Sequence, residues 1–173
     1  MSDHDDKRRQ RVLRISQFNA WCVVAIASFF AVVSLGSLSV VGFLVGACVT
    51  LSGLLEIWGH RLLQKREPGA RLWMTVSQVW LLICVLLYCW WRLHSLDPLD
   101  PFAGLLGVDH LLEFAEDMGT PRELVAAMFV QIYDLTYKLV ALLTVIFQGG
   151  LGLYYWLQVG RIDRSFGASK KPI

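Results

Sequence analysis

Residues 15–55 read ISQFNAWCVVAIASFFAVVSLGSLSVVGFLVGACVTLSGLL, 41 positions without an Asp, Glu, Lys or Arg between Arg14 and Glu56. An α-helix rises ~1.5 Å per residue and the hydrocarbon core of a bilayer is ~30 Å thick, so one crossing takes about 20 residues. The run therefore holds two crossings if the chain turns near its midpoint. Leu35-Gly36-Ser37-Leu38-Ser39 lies there, and Gly is a weak helix former while Ser favours caps and turns. A tight turn would make the two helices antiparallel neighbours.

Two further charge-free runs follow, Leu72–Trp91 between Arg71 and Arg92, and Leu139–Gly160 between Lys138 and Arg161. None of the three runs carries the polar face of a soluble amphipathic helix. The fold class expected is all-α, an integral membrane four-transmembrane-helix bundle. Its spans fall near 17–35, 38–59, 72–92 and 136–158, within a membrane domain over 17–160. A basic segment (1–16) precedes it, a basic tail (161–173) follows it, and a short, mostly helical acidic cap occupies 93–135.

Composition agrees. Of 173 residues 55% are hydrophobic and 17% charged, with mean hydropathy +0.51, against an ordinary ~45–50% and ~25%. Such a chain is not disordered, and four cysteines are too few for a disulfide scaffold. A net charge of +2 gives no reason to expect nucleic acid as a partner. The first run also has the basic flank of a cleaved signal peptide, with Ser34-x-Gly36 as a loose cleavage site. Its apolar stretch exceeds the usual ~7–15 residues and a second crossing follows at once, so a retained span is the reading adopted.

Lys and Arg collect in loops that stay cytoplasmic. Thirteen of the sixteen lie before the first span, between the second and third, or after the fourth. The third connection holds Arg92 and Arg122 beside seven acids, and Lys138 stands at a span edge. Both termini are thus expected in the cytoplasm of a cell-membrane protein. Trp and Tyr favour the two water interfaces. Trp21, Trp58, Trp73 and Tyr154-Tyr155-Trp156 would mark the inner level, and Tyr88, Trp90, Trp91, Tyr133 and Tyr137 the outer one.

In the third connection, Asp97-Pro98 and Asp100-Pro101 read as turn starters. Val108–Met118 reads as a short amphipathic helix with Gly119 as its C-cap. Thr120-Pro121-Arg122-Glu123 is a capping box with Pro at the first helical position. A helix begun there and continued to Gln158 would exceed one membrane thickness, so it would project outside or bend.

Five groups could carry chemistry. Asp134 and Lys138, four apart on a helix, suit either an ion pair at the outer interface or a step in an ion pathway. Glu56 and His60 share a helix face, which could hold a metal or pass protons; the plainer reading pairs Glu56 with His60, Arg61 or another helix at the inner interface. His94, Asp97, Asp109, His110 and Glu113 are weak metal-ligand candidates beside the plainer reading of a solvated acidic face. Cys22, Cys48, Cys84 and Cys89 read as packing residues, since Cys84 and Cys89 lie about 140° apart round a helix and no Cys-x-x-Cys occurs. Gly42, Gly46, Gly53, Gly149 and Gly152 read as helix-packing positions. Ser37, Ser39, Thr50, Ser52, Thr75, Ser77 and Gln78 could hydrogen-bond between helices, or line a crevice if they converge.

No His lies at mid-membrane depth for a haem, and no phosphate-binding loop, G-x-S-x-G or H-E-x-x-H occurs. No cofactor is expected. Three functions are in view: a non-enzymatic assembly or accessory subunit with a protein partner or a homo-oligomer in the bilayer, a small oligomeric transporter, and a membrane enzyme acting on a lipid-soluble substrate. Scarce intramembrane charges favour the first.

Overall fold

The computed structural model describes residues 3–36, 39–95, 113, 116–117, 119 and 121–169. Among them every extended element is an α-helix: α1 (Asp3–Gly36), α2 (Val40–Lys65), α3 (Ala70–Ser95) and α4 (Arg122–Ser169). All four contain stretches long and apolar enough to cross a membrane.

The helix ends follow local chemistry. Ser39 caps α2, its Oγ accepting from Gly42 N–H at 3.3 Å, while its own N–H bonds the Ser34 carbonyl at 2.8 Å. The turn expected at 35–39 therefore closes between Gly36 and Val40. At its other end α2 stops on Arg66 in the left-handed region, φ 58°, and Glu67 N–H reaches back to Leu62 O at 2.9 Å. That bond satisfies one of the carbonyls a helix C-terminus leaves open. Gly69, φ +95°, turns the chain into α3 and offers its carbonyl to Trp73 N–H.

Two helices overrun their expected limits. The basic N-terminal segment is helical from Asp3, so it extends α1 instead of leading up to it. Helix α4 is unbroken over 48 residues, about 72 Å at ~1.5 Å each, and merges the end of the expected cap, the fourth span and most of the tail. Its first bonds run from Leu124 and Val125 N–H to the Pro121 carbonyl, one residue later than the capping-box reading placed the start. Thr120 lies outside the described residues. Gly119 has φ +80° and bonds Glu116 O at 2.9 Å, the conformation a C-cap glycine takes. The two Asp-Pro turns and most of the expected 108–118 helix lie outside the described residues.

The chain divides into two compact units, Met1–Val85 with Thr144–Ile173, and Leu86–Leu143. In the first, α1 and α2 pack antiparallel through small residues. A side chain at Gly42 would meet Ser34 Oγ, one at Gly46 would strike the Ala31 backbone at 2.9 Å, and one at Gly53 would meet Val24 and the Ala20 carbonyl. Ala20, Ala27 and Ala31 are buried opposite them. Val12, Leu63, Ala70, Met74, Tyr155, Val159 and Ile162 form an apolar cluster to which all four helices contribute. Arg9 closes this end of α2, donating to the carbonyls of Leu63 (3.3 Å) and Gln64 (2.8 Å), where a helix C-terminus favours a cation.

The second unit gathers tyrosines round Arg92. Its Nε donates to Tyr137 Oη at 3.3 Å, Tyr133 Oη donates to the Arg92 carbonyl at 3.3 Å, and the rings of Tyr88, Tyr133 and Tyr137 lie about 6 Å from the guanidinium. That spacing is at the outer reach of a cation–π contact.

Candidate functional site

Glu56 is a buried carboxyl of the first unit, with 1% of the residue exposed. It stands on α2 one helical turn beyond Gly53, where the close approach of α1 brings Asn19 opposite. Asn19 Nδ2 donates to Glu56 Oε2 at 2.6 Å. From α4, Tyr155 Oη donates to Oε1 at 2.5 Å. Ser16 of α1 and Gln78 of α3 lie near the carboxyl without a hydrogen bond to it, so residues of all four helices approach this group.

Its surroundings are buried and polar. Ser16, Ser77, Gln78 and Tyr155 expose almost nothing. Gln78 Nε2 donates to Ser77 Oγ at 3.2 Å, and Ser77 Oγ donates to the Met74 carbonyl at 2.8 Å. Two atoms in this layer, Ser16 Oγ and Gln78 Oε1, are buried without a hydrogen bond. Among the described residues no Lys or Arg pairs with Glu56. Its oxygens are instead taken by neutral donors on two other helices, the arrangement by which a buried carboxyl avoids an unmet desolvation cost.

The remaining sequence candidates are placed as follows. Of the partners open to Glu56, residues of other helices are used and His60 is not: His60 is largely buried, its Nδ1 has no partner, and it lines a separate cleft with Gln17, Trp21, Arg61 and Gln64. Asp134 and Lys138 bond at 2.7 Å with both side chains substantially exposed. His94 Nδ1 lies 2.8 Å from the Trp90 carbonyl and its ring stacks on Trp90. Glu113 is exposed, whereas Asp97, Asp109 and His110 lie outside the described residues. Among the described residues no three His, Cys, Asp or Glu converge as metal ligands, and the four cysteines are free thiols.

The glycines split. Gly42, Gly46 and Gly53 make the close α1–α2 contact and Gly152 lies in ordinary contact with Gln78. At Gly149 a side chain would meet nothing within 4 Å, so no contact among the described residues uses that position. Gly59 and Gly160, not singled out from the sequence, sit close to Met74 and Arg71.

The hydroxyl and amide residues converge only in part. Thr50 bonds back to the Gly46 carbonyl and Ser39 caps its own helix. Among the described residues, bonds that cross between helices in this unit include those from Asn19, Tyr155, Arg9 and Trp80, whose Nε1 donates to the Cys48 carbonyl at 3.1 Å. Asn19 carried a signal that could have found it: it is the one Asn in the chain, placed in an apolar run where amides serve to join helices.

Comparison with protein-family models, with curated proteins and with solved structures finds no match to this chain.

Proposed function

We propose that the chain is a multi-pass integral membrane protein with both termini cytoplasmic, acting as a non-enzymatic assembly or accessory subunit. One observation carries the membrane part. Where α1 meets α2 and round Glu56 the inward faces are small or polar (Ala20, Ala27, Gly42, Gly46, Ser52, Gln78), while many large apolar side chains face out, with Phe18, Phe29 and Phe147 exposed by 76%, 72% and 67%. Water-soluble bundles do the reverse, and an apolar surface this extensive needs lipid or protein to cover it.

The subunit part rests on how the ionisable groups are held. Both oxygens of Glu56 are hydrogen-bonded and the residue is sealed between helices, so no substrate reaches it without the helices parting. Lys138 is satisfied by Asp134. Co-purification from native membranes in mild detergent tests this: a stoichiometric partner or a homo-oligomer is expected, and a lone monomer after crosslinking of intact membranes would contradict it.

A small transporter is the second reading, favoured by the burial of a carboxyl among polar residues of all four helices. It would require Glu56→Gln to abolish a pH-driven flux in proteoliposomes while leaving the fold intact.

A further inference from the structure

The seam between α1 and α2 changes character beyond Gly53. Through Gly42, Gly46 and Gly53 it is closely packed. It then opens into a hollow of about 210 Å³, lined from α2 by Ile57, His60, Arg61 and Gln64 and from α1 by Gln17, Ala20 and Trp21. The spacings i, i+3, i+4 and i+7 on α2, and i, i+3 and i+4 on α1, put each set on one helical face.

The wall is rich in unused donors. Arg61 and Trp21 bear donors only, and the Gln17 and Gln64 amides bear two each. Among the described residues none of these four side chains makes a hydrogen bond or ion pair within the chain. By contrast Arg9 is spent on the Leu63 and Gln64 carbonyls, Arg66 lies 3.7 Å from Asp6, and Arg71 sits 3.6 Å over the Trp156 ring. His60 is 8% exposed, with Nδ1 buried and unpartnered. No Asp or Glu lines the hollow, and Glu56, one turn from His60, has both oxygens taken by Asn19 and Tyr155. Donors exceed acceptors here, and an anion is the ligand that satisfies such a wall.

We propose that this hollow binds a phosphate group, with Arg61 as the charged partner and Gln17, Gln64 and Trp21 as neutral donors. A guanidinium offers its N–H groups in a fork that matches phosphate oxygens. The volume equals about seven waters at ~30 Å³ each, room for one oxyanion and short of the ~300–1,000 Å³ of a site enclosing a whole small molecule. The hollow also lies where the charge-free run 15–55 ends, with Glu56 and Arg61 following it on α2. In a membrane-spanning chain that is the level of lipid headgroups. A lipid phosphodiester and free phosphate share this chemistry.

The headgroup level rests on the membrane reading above; phosphate binding does not, since it is read in detergent without a bilayer. The full-length chain in dodecyl maltoside is mixed with phosphatidylglycerol or with diacylglycerol of the same acyl chains, which lacks the phosphate, and bound lipid is measured by native mass spectrometry. Equilibrium dialysis follows labelled inorganic phosphate. Phosphatidylglycerol is expected to bind at least tenfold more tightly than diacylglycerol and to resist inorganic phosphate, which supports a headgroup site. Uptake of one inorganic phosphate per chain, displacing the lipid, supports the same site with free phosphate as its ligand. Arg61→Gln should weaken binding at least tenfold, the worth of a hydrogen bond to a charged group. Gln17→Leu, at an exposed position, should weaken it about threefold without changing charge. Arg161→Gln removes the same charge from α4, outside the hollow, and should change binding less than twofold. Equal binding of the two lipids with no uptake of inorganic phosphate, or equal losses for Arg61→Gln and Arg161→Gln, would overturn the proposal. A chain that stays dissolved once detergent is removed would overturn the membrane reading and leave the phosphate site standing.

Discussion

Tyr155 shows how one side chain serves two layers. Its ring is buried in the apolar cluster with Val12, Leu63 and Val159, and its hydroxyl reaches the carboxyl of Glu56. Tyr155→Phe keeps the ring and removes the donor, leaving Oε1 without a partner. Interhelical hydrogen bonds in membrane proteins average ~0.6 kcal/mol and reach ~1.7, and an acceptor left unpaired in a buried layer adds its desolvation cost. A loss of about 1–2 kcal/mol is therefore expected in unfolding followed by circular dichroism in detergent. Glu56→Leu should cost more, about 2–4 kcal/mol, because it strands both the Asn19 and the Tyr155 donors in a buried layer. Glu56→Gln should cost least, since an amide keeps the volume and Asn19 can rotate its own amide to match. Equal stability of all three variants would mean that the carboxyl does not join the helices.

At the scale of the element, the α1–α2 hairpin is held by the absence of side chains. Gly46 lets the Ala31 backbone approach to a distance no side chain tolerates. Gly46→Val forces the helices apart and should destabilise by about 1–3 kcal/mol, the usual cost of overpacking. Gly149→Ala is the matched control: the same chemistry on an open face should be neutral or stabilising by up to about 1 kcal/mol, through helix propensity alone. Thermal unfolding of the pair checks this, and a loss for Gly149→Ala as large as for Gly46→Val would show that α4 is also packed through that face. The elements themselves were legible in the sequence because charge-free length is a direct ruler for a helix that must cross lipid. Which faces meet was not. Gly42 and Gly149 look alike in sequence, and only the helix opposite decides that one is crowded and the other open. For the same reason the sequence left Glu56 to His60, Arg61 or a residue of another helix, and the structure gives it partners on other helices 37 and 99 positions distant. The extent of α4 escaped the charge ruler because a helix need not end where an apolar run does, and this one continues past Arg161 to Ser169.

For the whole molecule, two features stand together: small and polar residues at the α1–α2 contact and round Glu56 beside many exposed large apolar side chains, and basic residues concentrated in the segments that flank the apolar runs. Both features have one cause if lipid is the solvent: nothing is gained by burying Leu or Phe from hydrocarbon, so close packing and hydrogen bonds join the helices, while Lys and Arg remain on the side from which they were not translocated. The side chains of Phe18, Phe29 and Phe147 need no partner in that setting. Removal of detergent from the pure protein without added lipid is accordingly expected to precipitate it, and reconstitution should restore a monodisperse sample.

Cysteine accessibility in intact cells tests the arrangement most directly. With Cys22, Cys48, Cys84 and Cys89 replaced, Ser95→Cys and Ser169→Cys each supply a single thiol, one after the third apolar run and one near the C-terminus. A membrane-impermeant maleimide should label position 95 from outside and reach position 169 only after the membrane is opened. Labelling of 169 alone, or of both positions before the membrane is opened, would contradict four crossings with the termini inside.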